Sequence, residues 1–298
     1  MDALLLSAGL GQRMMPITDY VPKPLLPIVD FRLIDYNIAR LFQSGVDSIA
    51  INLFHMAELI EKYLDRYPQN IHIVTEKILK GTGGALLNFK DILHGDFIYY
   101  SCDSLTDIDL SQVVEFHQSR KPAATLVLLK KGNDNIIHID EQSRVRKIGS
   151  ISGIHAYDFA GVAVFSRRIF SYLPVTEKFS IVEVWQRMLE NDELILGFPL
   201  EVKWYNINSP KAYWQVHYDL LVNNVTIGKH HYGSSLYIDP TSQFKAKKVD
   251  GFVSVGPHCN ISDRVSMTNT VVLDNSTIEQ GEYTNCLLSD KYCIEIEQ

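Results

Sequence analysis

The sequence predicts an α/β fold with a parallel or mixed β-sheet, followed by a short C-terminal left-handed β-helix of the hexapeptide type. Up to about residue 222, short apolar runs rich in β-branched residues alternate with helical patterns, which is typical of a sheet with crossover helices. Beyond that point the helical period is lost and aliphatic residues recur every six positions, as in a β-helix. We therefore expect two domains, an α/β domain over 1–222 and a linker with a short β-helix over 223–298, in agreement with ~150 residues for a typical domain.

Six apolar runs are the candidate strands of the sheet, and their continuous apolar character predicts that both faces of the sheet are covered. They are Ala3–Ser7, Ser48–Leu53, Ile71–Thr75, Phe97–Ser101, Ala124–Leu129 and Val162–Phe165. Apolar residues at helical spacing predict helices between several of these runs. One helix starts near Leu33 and ends at Gly45, one lies around Leu59–Leu64, and one covers about Leu110–Gln118.

The C-terminal part begins with a polar stretch from Asn223 to Gly233, which is typical of a linker. The hexapeptide period then places one aliphatic residue in each repeat, and each is expected to fill the inside of a coil turn. These residues are Val249, Val255, Ile261, Met267 and Leu273. The period slips at Ile278, so we expect the coil to be short. An alternative interpretation is a set of irregular strands packed on the first domain.

Composition limits which partners the chain can have. The 298 residues include 28 Lys and Arg against 35 Asp and Glu, a net charge of −7, which excludes a generally basic nucleic-acid binder but not a local basic pocket. No run approaches the ~20 apolar residues of a membrane-spanning helix. The four cysteines have no CxxC spacing, as expected for reduced thiols. We therefore expect a cytoplasmic protein without nucleic-acid or membrane partners.

The segment with the clearest chemistry is Ala8–Arg13, a glycine-rich turn directly after the first predicted strand. Glycines let backbone N–H groups close on phosphate oxygens without a Cβ in the way. Met14 stands where a dinucleotide-binding fingerprint would have its third glycine, and the GKS or GKT of a Walker loop is absent from the sequence. Arg13 and Lys23 instead provide two cations beside the turn, which suits a triphosphate undergoing phosphoryl transfer.

Three consecutive motifs carry a resemblance to a known family. They are AGLGQR at Ala8–Arg13, PIT at Pro16–Thr18 and PKPLLPI at Pro22–Ile28. In this order and spacing they resemble the signature of the sugar-phosphate nucleotidylyltransferases, also called NDP-sugar pyrophosphorylases. The resemblance covers most of the chain up to about residue 220, and several members carry a β-helix tail. It implies a Rossmann-like nucleotidyltransferase domain that joins a nucleoside triphosphate to a sugar 1-phosphate, giving an NDP-sugar and pyrophosphate in nucleotide-sugar biosynthesis.

The resemblance also implies roles for particular residues. Arg13, Lys23 and Asp103 are implied to be catalytic, with Lys23 reaching the α-phosphate or the incoming sugar phosphate. A turn with the sequence GTGGA, preceded by Glu76, is implied to contact the nucleobase, although such a turn is also an ordinary loop that opens a helix. The implied nucleotide-binding residues are Ala8, Gly9, Gly11, Arg13, Glu76, Gly81, Thr82 and Gly83.

For the sugar, the segment Phe159–Phe165 resembles the family's F-x-G-I-x-V-F strand and implies that Gly161 approaches the sugar. The alternative is a glycine that only marks a bulge in a strand. Residues Glu177–Ser180 lie where the family often has ligands for sugar hydroxyls, without indicating which of them bind.

The metal site implied by the family contains two ligands. Asp103, close after the run Phe97–Ser101, is implied to bind Mg²⁺, for which carboxylate oxygen is an appropriate ligand. The second ligand lies in a W-x-D-I-G-T-P pattern, where this chain has Asn206 within Trp204–Pro210. An amide oxygen carries no negative charge, so we expect weaker metal binding at Asn206. Two interpretations stay open: an active enzyme that tolerates the amide, or a catalytically weakened homologue that binds a nucleotide or nucleotide-sugar.

The expected reaction needs positioning and charge neutralisation rather than a side-chain nucleophile, because the sugar phosphate is already an anion. The GTGGA turn with Glu76 favours GTP and a mannose- or heptose-type sugar 1-phosphate. A non-catalytic nucleotide sensor is the alternative suggested by Asn206. A hexapeptide acyltransferase acting through His258 is disfavoured, because about five hexads are too few for an acyl-CoA groove. The coil is expected instead to pack on the first domain or to form a homo-oligomer.

Overall fold

The computed structural model describes residues 1–67, 70–130, 136–149 and 156–297. By their contacts these residues form two compact units. The first consists of Met1–Leu10, Asn37–Ser104 and Ile108–Trp204, and the second of Gly11–Tyr36, Leu105–Asp107 and Tyr205–Gln298. The segment that carries Arg13 and Lys23 thus belongs with the C-terminal residues. The domain boundary expected near residue 222 stays a prediction, because an independently folding domain is a different property from a group of contacts.

The regular elements are numbered in chain order within the described ranges. The helices are α1 (Leu33–Gln43), α2 (Ala57–Leu64), α3 (Gly81–Gly84), α4 (Leu110–Arg120), α5 (Ile181–Glu190) and α6 (Pro210–Leu221), with short 3-10 turns at Gln12–Met14, Ile17–Asp19, Lys23–Leu25, Ala85–Asn88 and Arg167–Tyr172. The strands are β1 (Asp2–Leu6), β2 (Pro27–Ile28), β3 (Phe31–Arg32), β4 (Ser48–Leu53), β5 (Ile71–Thr75), β6 (Phe97–Ser101), β7 (Ser104–Thr106), β8 (Ala124–Leu129), β9 (Ile137–Ile139), β10 (Val145–Ile148), β11 (Asp158–Phe165), β12 (Ile195–Leu200), β13 (Trp204–Asn206), β14 (Leu236–Ile238), β15 (Gln243–Phe244), β16 (Lys248–Val255), β17 (Asn260–Ile261), β18 (Val265–Val272), β19 (Thr277–Ile278), β20 (Gly281–Leu288) and β21 (Cys293–Glu295). Across the described ranges, every helix is too short or too polar to cross a bilayer.

The first unit is built on a seven-stranded sheet with the order β12-β8-β11-β6-β1-β4-β5. β11 runs antiparallel to both of its neighbours, whereas the other neighbouring strands are parallel. The sheet is therefore mixed, which confirms the predicted α/β class. The six predicted strands are all present, and β11 is longer than predicted because it begins at Asp158. β12 is an additional strand, whose sequence contains Gly197 and Pro199; it lies at the edge of the sheet, where proline is tolerated.

The sheet of the first unit is covered on both faces, as the continuous apolar runs predict. Every residue of β8 is buried, and so are the middle residues of β1. One core of the unit contains the aromatic side chains of Phe97, Tyr99, Phe165 and Trp185. The predicted helices correspond to α1, α2 and α4. The carboxyl ends of the parallel strands β1, β4 and β6 lie at one edge of the sheet, where open α/β sheets bind their ligands.

The C-terminal strands of the second unit stack in parallel, in the sheets β14-β16-β18-β20-β21 and β15-β17-β19. Gln243 pairs with Asn260, and Asn260 pairs with Thr277, so one coil turn contains 17 residues, close to three hexads. Ile261 pairs with Ile278, and this turn of one residue fewer than three hexads explains the slip in the period. The stacked strands are compatible with the predicted β-helix, whose handedness stays a prediction.

The hexad aliphatic residues do not all fill the same core. Val255, Ile261 and Met267 are buried together inside the coil, and Val249 is half-buried against them. Leu273 is buried in a different cluster, which also contains residues of the segment 11–36. The regular sequence period therefore predicts burial, but it does not predict which core receives each side chain.

A second hydrophobic core joins the segment 11–36 to α6 and to the coil. It contains Met14, Leu26, Tyr213, Phe252 and many other buried side chains of the second unit. α6 begins at Pro210 because the Ser209 side chain caps it and proline fits the first helical turn. Met14, at the position where a dinucleotide-binding turn would have a glycine, is fully buried and anchors the glycine-rich segment.

His217 of α6 is fully buried, and its Nε2 donates a hydrogen bond to the Pro27 carbonyl oxygen at 3.2 Å. Burial lowers the pKa of His217 to about 4, because the charged ring loses its hydration. Folding thus excludes a proton that the unfolded chain binds below its ordinary pKa of 6.5, so stability is lost as pH falls from about 6.5 towards 4.

We therefore expect His217→Gln, which keeps a hydrogen-bond donor but does not titrate, to reduce the acid sensitivity of the fold. Between pH 7.5 and pH 5, the wild type should lose about 2 kcal/mol more unfolding free energy than the variant. Urea titrations of both proteins at the two pH values measure this difference. The same pH dependence in both proteins would contradict a neutral, buried His217.

Candidate active site

The turn after β1 is the first predicted phosphate-binding segment. The Ser7 amide donates to Asn52 Oδ1 at 3.0 Å, and this buried hydrogen bond fixes the start of the turn. Ala8 is buried, whereas Gly9 is exposed, and a Cβ at Gly9 would have no described protein atom within 4 Å. The space beside Gly9 is therefore open, as a segment that approaches a phosphate requires.

Glu76 is a buried carboxylate, 6% exposed, at the centre of a hydrogen-bond network. It accepts hydrogen bonds from Asn52 Nδ2 at 3.0 Å, from the Lys80 amide at 3.0 Å and from Asn88 Nδ2 at 3.2 Å. Asn52 in turn holds the Ser7 amide. The carboxylate therefore links the turn after β1 to the start of α3, the helical turn of the GTGGA motif. Direct contact of Glu76 with a nucleobase stays a prediction.

The glycines of α3 are required by a neighbouring backbone segment. Gly81 has a φ of +82°, and at three of the glycines a Cβ would lie far inside contact distance of a carbonyl oxygen. These contacts are 2.7 Å from Gly81 to Phe179, 2.5 Å from Gly83 to Ser180 and 2.7 Å from Gly84 to Glu177. Close approach to residues 177–180 thus explains the glycines without any ligand.

Hydrogen bonds lock the same two segments together. The amides of Gly83 and Gly84 both donate to the Phe179 carbonyl oxygen at 3.1 Å, and the Phe179 amide donates to Lys80 O at 3.1 Å. Thr82 Oγ1 accepts the amide of Ile181, the first residue of α5, at 3.0 Å. The structure therefore brings the turn expected at the nucleobase directly against the segment expected near the sugar.

Thr82 is also fixed from the core side. Its carbonyl oxygen accepts a hydrogen bond from the Tyr99 hydroxyl at 3.0 Å. Burial raises the pKa of Tyr99, so the phenol keeps its proton and stays a donor at neutral pH. The Thr82 peptide is therefore held by a buried side chain of the central sheet.

Asp103 lies two residues after the end of β6, and its Oδ1 accepts a hydrogen bond from Ser101 Oγ at 2.6 Å. Gly161 in β11 lies beside this region, since a Cβ there would come within 3.0 Å of Ser101 Cβ and 2.8 Å of Ser104 Oγ. Its φ is +79°, and the pairing of β11 with β8 is irregular around it. The alternative explanation, a glycine that marks a strand irregularity, is thus confirmed, and contact with a sugar stays a prediction.

In the second unit, Gly11, Arg13 and Lys23 lie on a segment of short 3-10 turns. Gly11 has a φ of +66°, and its carbonyl oxygen accepts the Met14 amide at 2.7 Å and Thr18 Oγ1 at 3.0 Å. Arg13 is exposed, and Lys23 is half-buried between two buried prolines. The motif residues thus form a fixed loop that presents one cation to solvent and holds the other partly buried.

Asn206 ends β13, which pairs with β7. Its Oδ1 is buried and has no hydrogen-bond partner among the described residues. A buried acceptor without a partner is costly, and a bound cation would satisfy it, so the amide oxygen fits a metal ligand. Within the described ranges, no three His, Cys, Asp or Glu side chains form a group that could hold a metal ion. The side chains alone therefore leave room for substrate phosphates as ligands.

Several supporting residues are not identified by the sequence motifs. Asn52 holds the turn after β1, and Tyr213 and His217 both hold the Pro27 carbonyl oxygen, Tyr213 at 2.6 Å. The available signals are modest: Asn52 is the polar exception near the end of an apolar strand, and the other two are four residues apart on one helix face.

The chain belongs to the nucleotidyl transferase family, because the family's sequence model matches residues 2–223. It is therefore an enzyme of nucleotidyl transfer. It is 22% identical to the UTP–glucose-1-phosphate uridylyltransferase of Synechocystis sp., over 99% of this chain and 89% of that one. It is 25% identical to the mannose-1-phosphate guanylyltransferase of Mycobacterium tuberculosis, over 94% and 82%. The fold is similar to that of HddC from Yersinia pseudotuberculosis complexed with GMP-PN, with a TM-score of 0.59, 23% identity, and coverage of 72% of this chain and 97% of that one.

The contact between α3 and residues 177–180 can be tested with Gly83→Ala. The added Cβ would lie 2.5 Å from the Ser180 carbonyl oxygen, so the two segments must separate. We expect a loss of about 1–3 kcal/mol of unfolding free energy, measured by urea denaturation. Gly95→Ala is the matched control, because its Cβ meets no described atom within 4 Å. Equal stability of the two variants would contradict the close packing.

Proposed function

We propose that this nucleotidyltransferase joins a nucleoside triphosphate to a sugar 1-phosphate and releases pyrophosphate, with GTP and a mannose- or heptose-type sugar 1-phosphate as the preferred pair. The observation that carries the proposal is the loop of the second unit, where the signature residues Arg13 and Lys23 lie on consecutive short turns anchored by Met14. Such a loop suits a substrate with several closely spaced negative charges.

In the proposed reaction, a phosphate oxygen of the sugar 1-phosphate attacks the α-phosphorus of the triphosphate. The bond from the α-phosphorus to the oxygen of the β-phosphate breaks, and pyrophosphate leaves with that electron pair. The nucleophile is already an anion, so no side chain has to remove a proton. Arg13 and Lys23 neutralise developing charge, and backbone amides at Ala8, Gly9 and Gly11 bind phosphate oxygens.

Mg²⁺ is the proposed cofactor, and Asp103 and Asn206 are the residues that would hold it. When bound, it would supply positive charge that offsets the phosphate oxygens. The buried, unpartnered Oδ1 of Asn206 supports this assignment. Because an amide is a weaker ligand than a carboxylate, substrate phosphates are expected to supply part of the ligation.

For the other substrate groups, the proposal assigns Gly81, Thr82 and Gly83, with Glu76 behind them, to the nucleobase, and Gly161 to the sugar. The relatives named above act on glucose 1-phosphate or mannose 1-phosphate, which supports a sugar 1-phosphate as co-substrate. The cysteines at 102, 259, 286 and 293 are free thiols, which supports the proposed cytoplasmic location. Assembly into a homo-oligomer through the coil stays a prediction.

A screen for pyrophosphate release tests the proposal. Five nucleoside triphosphates are each combined with Mg²⁺ and a panel of sugar 1-phosphates. We expect release with a sugar 1-phosphate present and the highest kcat/KM for GTP with a mannose- or heptose-type partner. Nucleotide binding without release from any pair would contradict the proposal and favour a binding homologue.

Lys23→Ala and Asp103→Ala test the proposed charge neutralisation. Each removes one charge close to the reacting phosphates, so we expect kcat to fall by about 100-fold or more while circular dichroism is unchanged. Lys245→Ala, at an exposed position of the coil, is the control and should keep wild-type turnover. Near-wild-type release by a folded Lys23→Ala or Asp103→Ala protein would contradict the assigned roles.

Asn206→Asp tests the metal assignment. An added carboxylate should bind the cation more tightly, so we expect the Mg²⁺ concentration for half-maximal rate to fall about tenfold. Asn208→Asp adds the same charge two residues away and controls for a general electrostatic effect. An unchanged Mg²⁺ dependence in Asn206→Asp, or an equal change in both variants, would contradict a ligand role for residue 206.

A further inference from the structure

One ion pair joins the loop that carries Lys23 to the C-terminal coil. Arg32 Nη1 donates to the Leu25 carbonyl oxygen at 2.9 Å, and Arg32 Nη2 forms an ion pair with Asp274 Oδ2. Both side chains are largely buried, at 21% exposed for Arg32 and 8% for Asp274. A single guanidinium therefore bridges the backbone next to Lys23 and a carboxylate of the coil.

The turn that contains Lys23 is closed by the same backbone group region. The Leu25 amide donates to Pro22 O at 2.8 Å, and the Leu26 amide donates to Lys23 O at 3.1 Å. The Leu25 carbonyl oxygen, between these bonds, is held by Arg32. Pro27 is fixed separately through α6. The Arg32 contact is therefore the described side-chain bond nearest in sequence to the backbone of Lys23.

The coil encloses the carboxylate of Asp274. A Cβ at Gly256 would lie 2.4 Å from Asp274 Oδ1, so this position leaves space for the carboxylate. Burial raises the pKa of Asp274, and the Arg32 charge opposes that rise. A buried ion pair is weak evidence for stability, because desolvation offsets much of the attraction between the charges. Its directional contact with Leu25 is thus better explained by positioning than by stabilisation.

We propose that Arg32 and Asp274 are positioning residues for Lys23: Asp274 of the coil orients the Arg32 guanidinium, which fixes the Leu25 carbonyl oxygen and with it the Lys23 turn. This inference rests on the proposed function for the catalytic role of Lys23. It gives the coil a task in the reaction, because a coil residue helps to set the geometry of the phosphate-binding loop.

A kinetic double-mutant cycle tests the link to Lys23. Asp274→Asn keeps the side-chain volume, and Arg32→Met removes the guanidinium but keeps the aliphatic stem. Each should lower kcat about 10- to 100-fold in the wild-type background, since small displacements of catalytic groups are costly. In a Lys23→Ala background the same changes should lower kcat less than about twofold. Equal losses in both backgrounds would overturn the inference, because they indicate a role unconnected with Lys23.

An exposed ion pair on the same coil provides the control. Lys248 and Asp250 are more than half exposed, at 67% and 54%, and lie 2.6 Å apart. Lys248→Met and Asp250→Asn repeat the chemistry of the test variants and should leave kcat unchanged. A comparable loss in these variants would overturn the inference, since any charge change on the coil would then suffice.

Hydrogen exchange separates this inference from the proposed function, because it needs no substrate. In Asp274→Asn and Arg32→Met, the amides of Leu25 and Leu26 should exchange about tenfold faster, while peptides from β1 and β6 exchange as in the wild type. This result would support the positioning role even if the wild type released no pyrophosphate, an outcome that contradicts the proposed function alone. Unchanged exchange at Leu25 and Leu26, or uniformly faster exchange across the chain, would overturn the positioning role.

Discussion

The carbonyl oxygen of Pro27 accepts two hydrogen bonds from one face of α6, and the signature loop depends on this constraint. The donors, Tyr213 and His217, lie 186 and 190 residues from Pro27 in the sequence. Both are buried, so an unmade bond would leave a polar group unsatisfied inside the core. This requirement ties a loop without long regular elements to a helix near the end of the chain.

The two units solve the same physical problem with different groups. A loop that binds phosphates needs free amides and space, and such a backbone has few hydrogen bonds of its own to hold it. In the first unit, Glu76 and the backbone of residues 177–180 supply the missing contacts for α3. In the second, the contacts come from α6 and from the coil. The C-terminal region is therefore part of the support for a functional loop.

The sequence predicts most of the sheet and the signature loop because both depend on local patterns. Continuous apolar runs mark β1, β4, β6 and β8, and the order of the motifs identifies the family. The strand β12 escapes prediction because Gly197 and Pro199 weaken its pattern, while its pairing with β8 decides the outcome. The contacts of Glu76 and Asp274 escape for another reason: each depends on residues brought close by the fold, which spacing along one chain does not encode. The glycines of α3 show the limit most clearly, because a motif expected to face a ligand is also required by protein backbone.

The chemistry of the site follows from charge and position rather than from a reactive side chain. The central claim is that the chain transfers a nucleotidyl group to a sugar 1-phosphate by attack at the α-phosphorus. Phosphorus NMR of the purified protein with Mg²⁺, a nucleoside triphosphate and a sugar 1-phosphate tests it most directly. The account predicts that the diphosphate resonances of an NDP-sugar and the signal of pyrophosphate appear together and in equal amounts. Release of orthophosphate, or spectra of unchanged substrates beside a protein that binds the nucleotide, would contradict it.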